Sequence, residues 1–128
     1  DTHHPVDLMA YYDDQKPEAA RRSKAFREQR IGKFLRWAEQ VLIANPSGSD
    51  WLVGHHLTYA DLSLFQVVEG LRYAFPKATE AVLNTTPHIV AVRDRVAALP
   101  RVSTYLKSDR RIPFNEDGIF RRYPELDG

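Results

Sequence analysis

The side chains best equipped for chemistry in this sequence come mostly in adjacent pairs. His3-His4 and His55-His56 offer imidazoles, and Tyr11-Tyr12 offer two phenols. Asp7 lies just ahead of the tyrosines, and Thr58 and Asp61 stand three positions apart. Each has a structural reading beside its chemical one. Adjacent residues on a helix do not share a face, and no cysteine supports them, so the histidine pairs read as loop histidines and no metal is expected. Thr58-Tyr59-Ala60-Asp61 has capping-box spacing: the hydroxyl can accept from the amide of Asp61, and the carboxylate can reach back to the amide of Thr58. Asp7 suits the positive end of a helix dipole. Neighbours on a helix diverge by about 100°, so Tyr11 and Tyr12 cannot both enter one core. At least one ring should face a cleft, a partner or solvent.

Composition bounds what these residues can serve. The chain has 128 residues, the size of one domain able to bury a core without disulfides. Its 18 basic and 17 acidic side chains nearly cancel, which speaks against nucleic acid as a partner. No apolar run approaches the roughly 20 residues a membrane span needs, so no membrane is expected either. The absence of cysteine excludes disulfide and thiolate chemistry and fits a reducing compartment. Asp1-Thr2-His3-His4-Pro5 has no secretory character and no initiator Met, so a processed chain or a fragment is expected.

Helices must position these groups. Residues 5–14 read as a short helix opened by Pro5, with Leu8, Met9, Tyr11 and Tyr12 on its apolar side. A long helix is predicted from Pro17 to Ala44, its face marked by Ile31, Phe34, Leu35, Ala38, Val41 and Leu42, with Gly32 as a blemish. Arg21, Arg22, Arg27, Arg30 and Arg36 form its solvated side, with Glu18 and Arg22 as an i,i+4 pair. Asn45-Pro46-Ser47-Gly48-Ser49 ends it. The next helix starts at the Thr58 cap, with Leu57 and Leu62 in staple positions, and is apolar nearly all round to Leu71, so it should be central. Shorter helices follow near 78–83, from Pro87 with Ile89, Val92, Val96 and Leu99 as its stripe, and from Pro100 with Val102, Tyr105 and Leu106 inward. The tail, 110–128, has no helical stripe but carries Ile112, Phe114, Ile119, Phe120 and Tyr123, so it needs a surface to lie on. With no strand-like alternation, the expected fold is an all-α bundle of five to six helices.

Two segments carry a resemblance. Trp51-Leu52-Val53-Gly54-His55-His56-Leu57-Thr58-Tyr59-Ala60-Asp61-Leu62 and, at the right distance, Pro87 through Leu106 resemble the C-terminal helical domain of soluble glutathione transferases. The likeness extends over most of positions 5–108. It implies a parent protein that is cytoplasmic and homodimeric, with a preceding thioredoxin-like domain that holds glutathione and the thiol-activating group. Nothing in residues 1–128 reads as that domain. The resemblance further implies a role as the wall that binds a small hydrophobic electrophile, with glutathione as co-substrate and no cofactor. On this reading Tyr11 and Tyr12, with Phe114 and Phe120 of the tail, line one hydrophobic pocket, and Asp7 is a candidate contact to glutathione on a partner subunit. No residue of the chain is expected to be catalytic, and the isolated chain is expected not to conjugate glutathione. The alternative is a non-catalytic interaction module, of the kind found in translation-associated assemblies, which needs no open aromatic pocket.

Overall fold

A computed structural model describes residues 2–128. Among them are six α-helices and no strand: α1 (Lys16–Ala25), α2 (Gly32–Ala44), α3 (Tyr59–Ala74), α4 (Pro76–Leu83), α5 (Pro87–Ala98) and α6 (Pro100–Leu106). Short 3₁₀ turns cover Tyr12–Gln15 and Pro124–Leu126. Pro76, Pro87 and Pro100 each occupy a first helical position, where the missing N–H would have no partner anyway. The all-α expectation holds, and no described helix is long and apolar enough to cross a membrane.

The core forms where α2, α3 and α5 meet. Leu42, Val68, Ile89, Val92 and Val96 are fully enclosed, with Leu35, Phe65 and Leu71 around them. α3 is central, as its apolar surface predicts, but not on every side: Leu62 and Val67 are about two-fifths exposed. The α3 cap forms as the spacing predicts. Thr58 Oγ1 accepts from the Ala60 amide at 3.3 Å, Asp61 Oδ2 accepts from the Thr58 amide at 2.7 Å, and the box is reciprocal. Asp61 does more than cap, because its other oxygen accepts from the Leu52 amide at 2.8 Å. That bond ties the preceding loop to the helix. Asn45 Nδ2 closes the same loop by donating to the carbonyls of Trp51 and Gly54. Gly54, at φ +63°, takes a left-handed turn that a β-branched residue would resist.

Four expectations are corrected. First, residues 5–14 form no α-helix. Residues 5–11 make a bent strap leading into the Tyr12–Gln15 turn. The buried Gln15 side chain organises it: Oε1 accepts from the Val6 and Asp7 amides, and Nε2 donates to the carbonyls of Asp7, Ala10 and Tyr11. A ten-residue helix is marginal in water without a packed face, and Val6, Leu8, Met9 and Tyr11 have none. Local side-chain bonds therefore win.

Second, the long helix is not uniform. Residues Phe26–Ile31 form a π-helical turn between α1 and α2. Ala19, Ser23, Phe26, Ile31, Gly32, Leu35, Ala38, Glu39 and Leu42 are buried or core-packed on this stretch, so the step from Phe26 to Ile31 is five residues instead of three or four. In an α-helix those two side chains would point about 140° apart. Bonding from i to i+5 brings both back to the core.

Third, Arg27 leaves the solvated face. It is half-buried, and Nη1 donates to the Asp127 carbonyl at 3.1 Å. Arg21, not Arg22, pairs with Glu18, at 3.2 Å. Fourth, Phe34 and Tyr105 stay nearly half exposed instead of facing inward.

Two buried carboxylates join elements that are distant in sequence. Glu39 on α2 accepts from the His88 amide at 3.1 Å, the Ile89 amide at 2.9 Å and His88 Nδ1 at 2.7 Å. It thus caps the α5 N-terminus from another helix, where Thr86 supplies no side-chain cap. Asp127 caps α4 in the same way, accepting from the Lys77 amide at 2.9 Å and the Ala78 amide at 3.4 Å.

Candidate functional site

The tail returns along the bundle and meets the N-terminal strap, and this meeting builds the candidate site. Tyr12 of the strap stacks on Tyr123 of the tail, ring centroids 3.9 Å apart, and its hydroxyl donates to Glu125 Oε1 at 3.1 Å. Burial first, then the hydrogen bond to Glu125 and that residue's charge, push the Tyr12 phenol up to about 12. Tyr12 therefore keeps its proton and acts as a donor, not as a base. His3 stacks on Phe75 at 5.9 Å and tilts against Tyr123 at 5.3 Å. Burial, with the charges of Arg121 and His4 nearby, lowers its pKa to about 4, so it sits in this aromatic cluster as a neutral ring. Burial, then Arg121, also lowers His4, whose ring lies 2.9 Å from Arg121 Nη1. His55 and His56, by contrast, lie exposed in the loop before α3.

Two clefts flank this junction. The more apolar one, about 480 Å³, lies between Phe26, Leu71 and Phe75 on the bundle side and Ile119 and Phe120 on the tail side. Phe26 reaches it from the π turn and packs on Phe75 with centroids 5.4 Å apart. The second, about 470 Å³, is polar: Tyr11, Tyr12 and Tyr123 stand among Asp13, Lys16 and Glu125. Arg121 borders both.

The residues expected in one pocket are thus distributed over several. Tyr11 is exposed and Tyr12 buried, and both border the polar cleft. Phe120 borders the apolar cleft. Phe114 borders a third, of about 360 Å³, with Leu62 and Tyr105; it stacks on Tyr73 at 5.1 Å and meets Phe120 edge-on at 5.9 Å. Asp7 lies in the strap, where its Oδ1 accepts from the Met9 amide at 2.8 Å, so it belongs to a turn and not to a helix start. Phe26, Phe75, Ile119 and Arg121 are the site residues that sequence reasoning missed. The five-residue step at Phe26 was the available signal for the first. The others depend on contacts across the whole chain.

With fold and clefts in view, the class is clear. The sequence profile of the glutathione S-transferase C-terminal domain matches residues 1–109, and the chain belongs to that family. Among its relatives is glutathione S-transferase A3 of Mus musculus, 31% identical over 111 residues, which make up 85% of this chain and 48% of the mouse protein. Glutathione S-transferase P 1 of Xenopus laevis is 32% identical over 77 residues, or 60% of this chain and 34% of that protein. S-crystallin SL11 of Nototodarus sloanii is 29% identical over 112 residues, 84% of this chain and 51% of its own. The chain thus spans about half or less of the length of these relatives.

Proposed function

We propose that this chain is the electrophile-binding part of a glutathione transferase. In the reaction envisaged, a glutathione thiolate attacks an electrophilic carbon of a hydrophobic substrate. The sulfur–carbon bond forms as the leaving group departs with its electron pair. A thioredoxin-like domain holds glutathione and lowers its thiol pKa, and the present chain holds the electrophile within reach, so its contribution is positioning. The parent protein works in the cytoplasm as a homodimer, for which the exposed Val6, Leu8, Met9 and Tyr11 offer an apolar surface.

The observation that carries this reading is the aromatic cleft walled by Phe26, Phe75 and Phe120 in a chain of this family. Its volume of about 480 Å³ is in the range of small-molecule sites, and its edges and faces suit a flat apolar ring. An interaction module would have no use for it. Titrating the ¹⁵N-labelled chain with a one-ring aryl halide tests the reading. Weak, saturable shifts centred on Phe26, Phe75 and Phe120 are expected, since the cleft is open on one side. Saturation elsewhere, or none at millimolar probe, would sink it.

A further inference from the structure

Gly70 lies buried in the interior of α3, where glycine costs about 1 kcal/mol relative to alanine. The helix itself does not require it, for Gly70 is not among the glycines with positive φ. The tail requires it. A Cβ at position 70 would fall well inside the ~3.5 Å at which carbon atoms touch, against three ring carbons of Phe120. The missing methyl therefore lets the Phe120 ring lie against the α3 backbone. Hydrogen bonds around Phe120 run within the tail, from the Asp117 amide to Asn115 and from Arg121 to the Gly118 carbonyl, or across to His4. The Phe120 ring thus packs this stretch directly against α3, beside the stack of Phe114 on Tyr73, and Ile119 and Phe120 are the apolar residues on the tail side of the cleft.

We propose that Gly70 is a specificity-determining position that acts through Phe120: by seating that ring it fixes the width of the cleft and hence the bulk of the electrophile admitted. The proposal rests on the electrophile-binding reading above. A methyl at position 70 pushes the ring outward, lifts residues 118–121 and widens the cleft.

Gly70→Ala, Phe120→Ala and the double variant of the 128-residue chain test it, with two readouts. Amide exchange of Gly118 to Arg121 reports the seat. The ratio of dissociation constants for a one-ring and a two-ring aryl halide reports the width. Each single variant should speed exchange and shift the ratio about tenfold toward the two-ring probe, the order of effect a few added carbons have in an apolar pocket. The double variant should go no further than Phe120→Ala, because the new methyl then has nothing to displace. Phe120 lies in the tail outside the helices, so its variant keeps the test alive if Gly70→Ala misfolds. Additive shifts, or unchanged exchange, would overturn the proposal. If neither probe binds the unaltered chain, the electrophile reading falls and the specificity role with it, while exchange still decides whether Gly70 seats Phe120.

Discussion

Asp61 and Glu39 are buried acids whose oxygens are all engaged, yet they differ in what they span. Asp61 accepts from Thr58, three residues before it, and from Leu52 in the loop. A cap that served only its own helix would be worth about 1 kcal/mol. Removing a buried carboxylate also orphans the Leu52 and Thr58 amides, at about 1–3 kcal/mol for each buried group left unpaired. Asp61→Ala should therefore cost about 3 kcal/mol and Thr58→Ala about 1 kcal/mol. Urea unfolding would measure both, and equal losses would mean that the Leu52 bond contributes nothing. The Thr58–Asp61 pair could be read from spacing because its partners are neighbours. Glu39 could not, since its partners lie about fifty positions away and nothing in the long helix marks it out.

At the scale of elements, the π turn is the informative feature. The stretch from α1 to α2 keeps its buried face only by inserting one residue between Phe26 and Ile31. Deleting the exposed Gln29 restores a spacing of four, which an ordinary α-helix accommodates. Inserting an alanine beside it makes six, which neither helix type can bring back to the core. The deletion variant should unfold within about 1 kcal/mol of the parent, and the insertion variant several kcal/mol earlier, as large core mispacking does. Equal urea midpoints would show that the five-residue step does not set the turn. The interruption was legible in the spacing of apolar residues, but Gly32 drew attention one residue past its end. Gly32 is a regular part of α2, and what a methyl there would meet first is the movable end of Arg36.

For the whole molecule, the apolar surface left on the strap is the notable remainder. Val6 and Leu8 are each 71% exposed, Tyr11 81% and Met9 91%, more than a short segment needs if it only closes a bundle. If this surface meets a second subunit, the full-length protein should sediment as a dimer at micromolar concentration, and Leu8→Glu with Met9→Glu should yield monomers. A parent protein that sediments only as monomer would count against it. The sequence by itself determined a helical stretch over α1 and α2, the helices α3 to α6, the proline starts of α1, α5 and α6, the Thr58 cap, the central place of α3 and the family likeness. Each of these rests on spacings of three or four residues or on contiguous segments, which chain geometry makes readable. Only the tertiary structure decided the fold of the strap, the course of the tail and the division of Tyr11, Tyr12, Phe114 and Phe120 among separate clefts. Tyr12 meets Glu125 across 113 positions and His4 meets Arg121 across 117. Contacts of that reach leave no period in the sequence, because the packing of all the helices between them fixes where they fall.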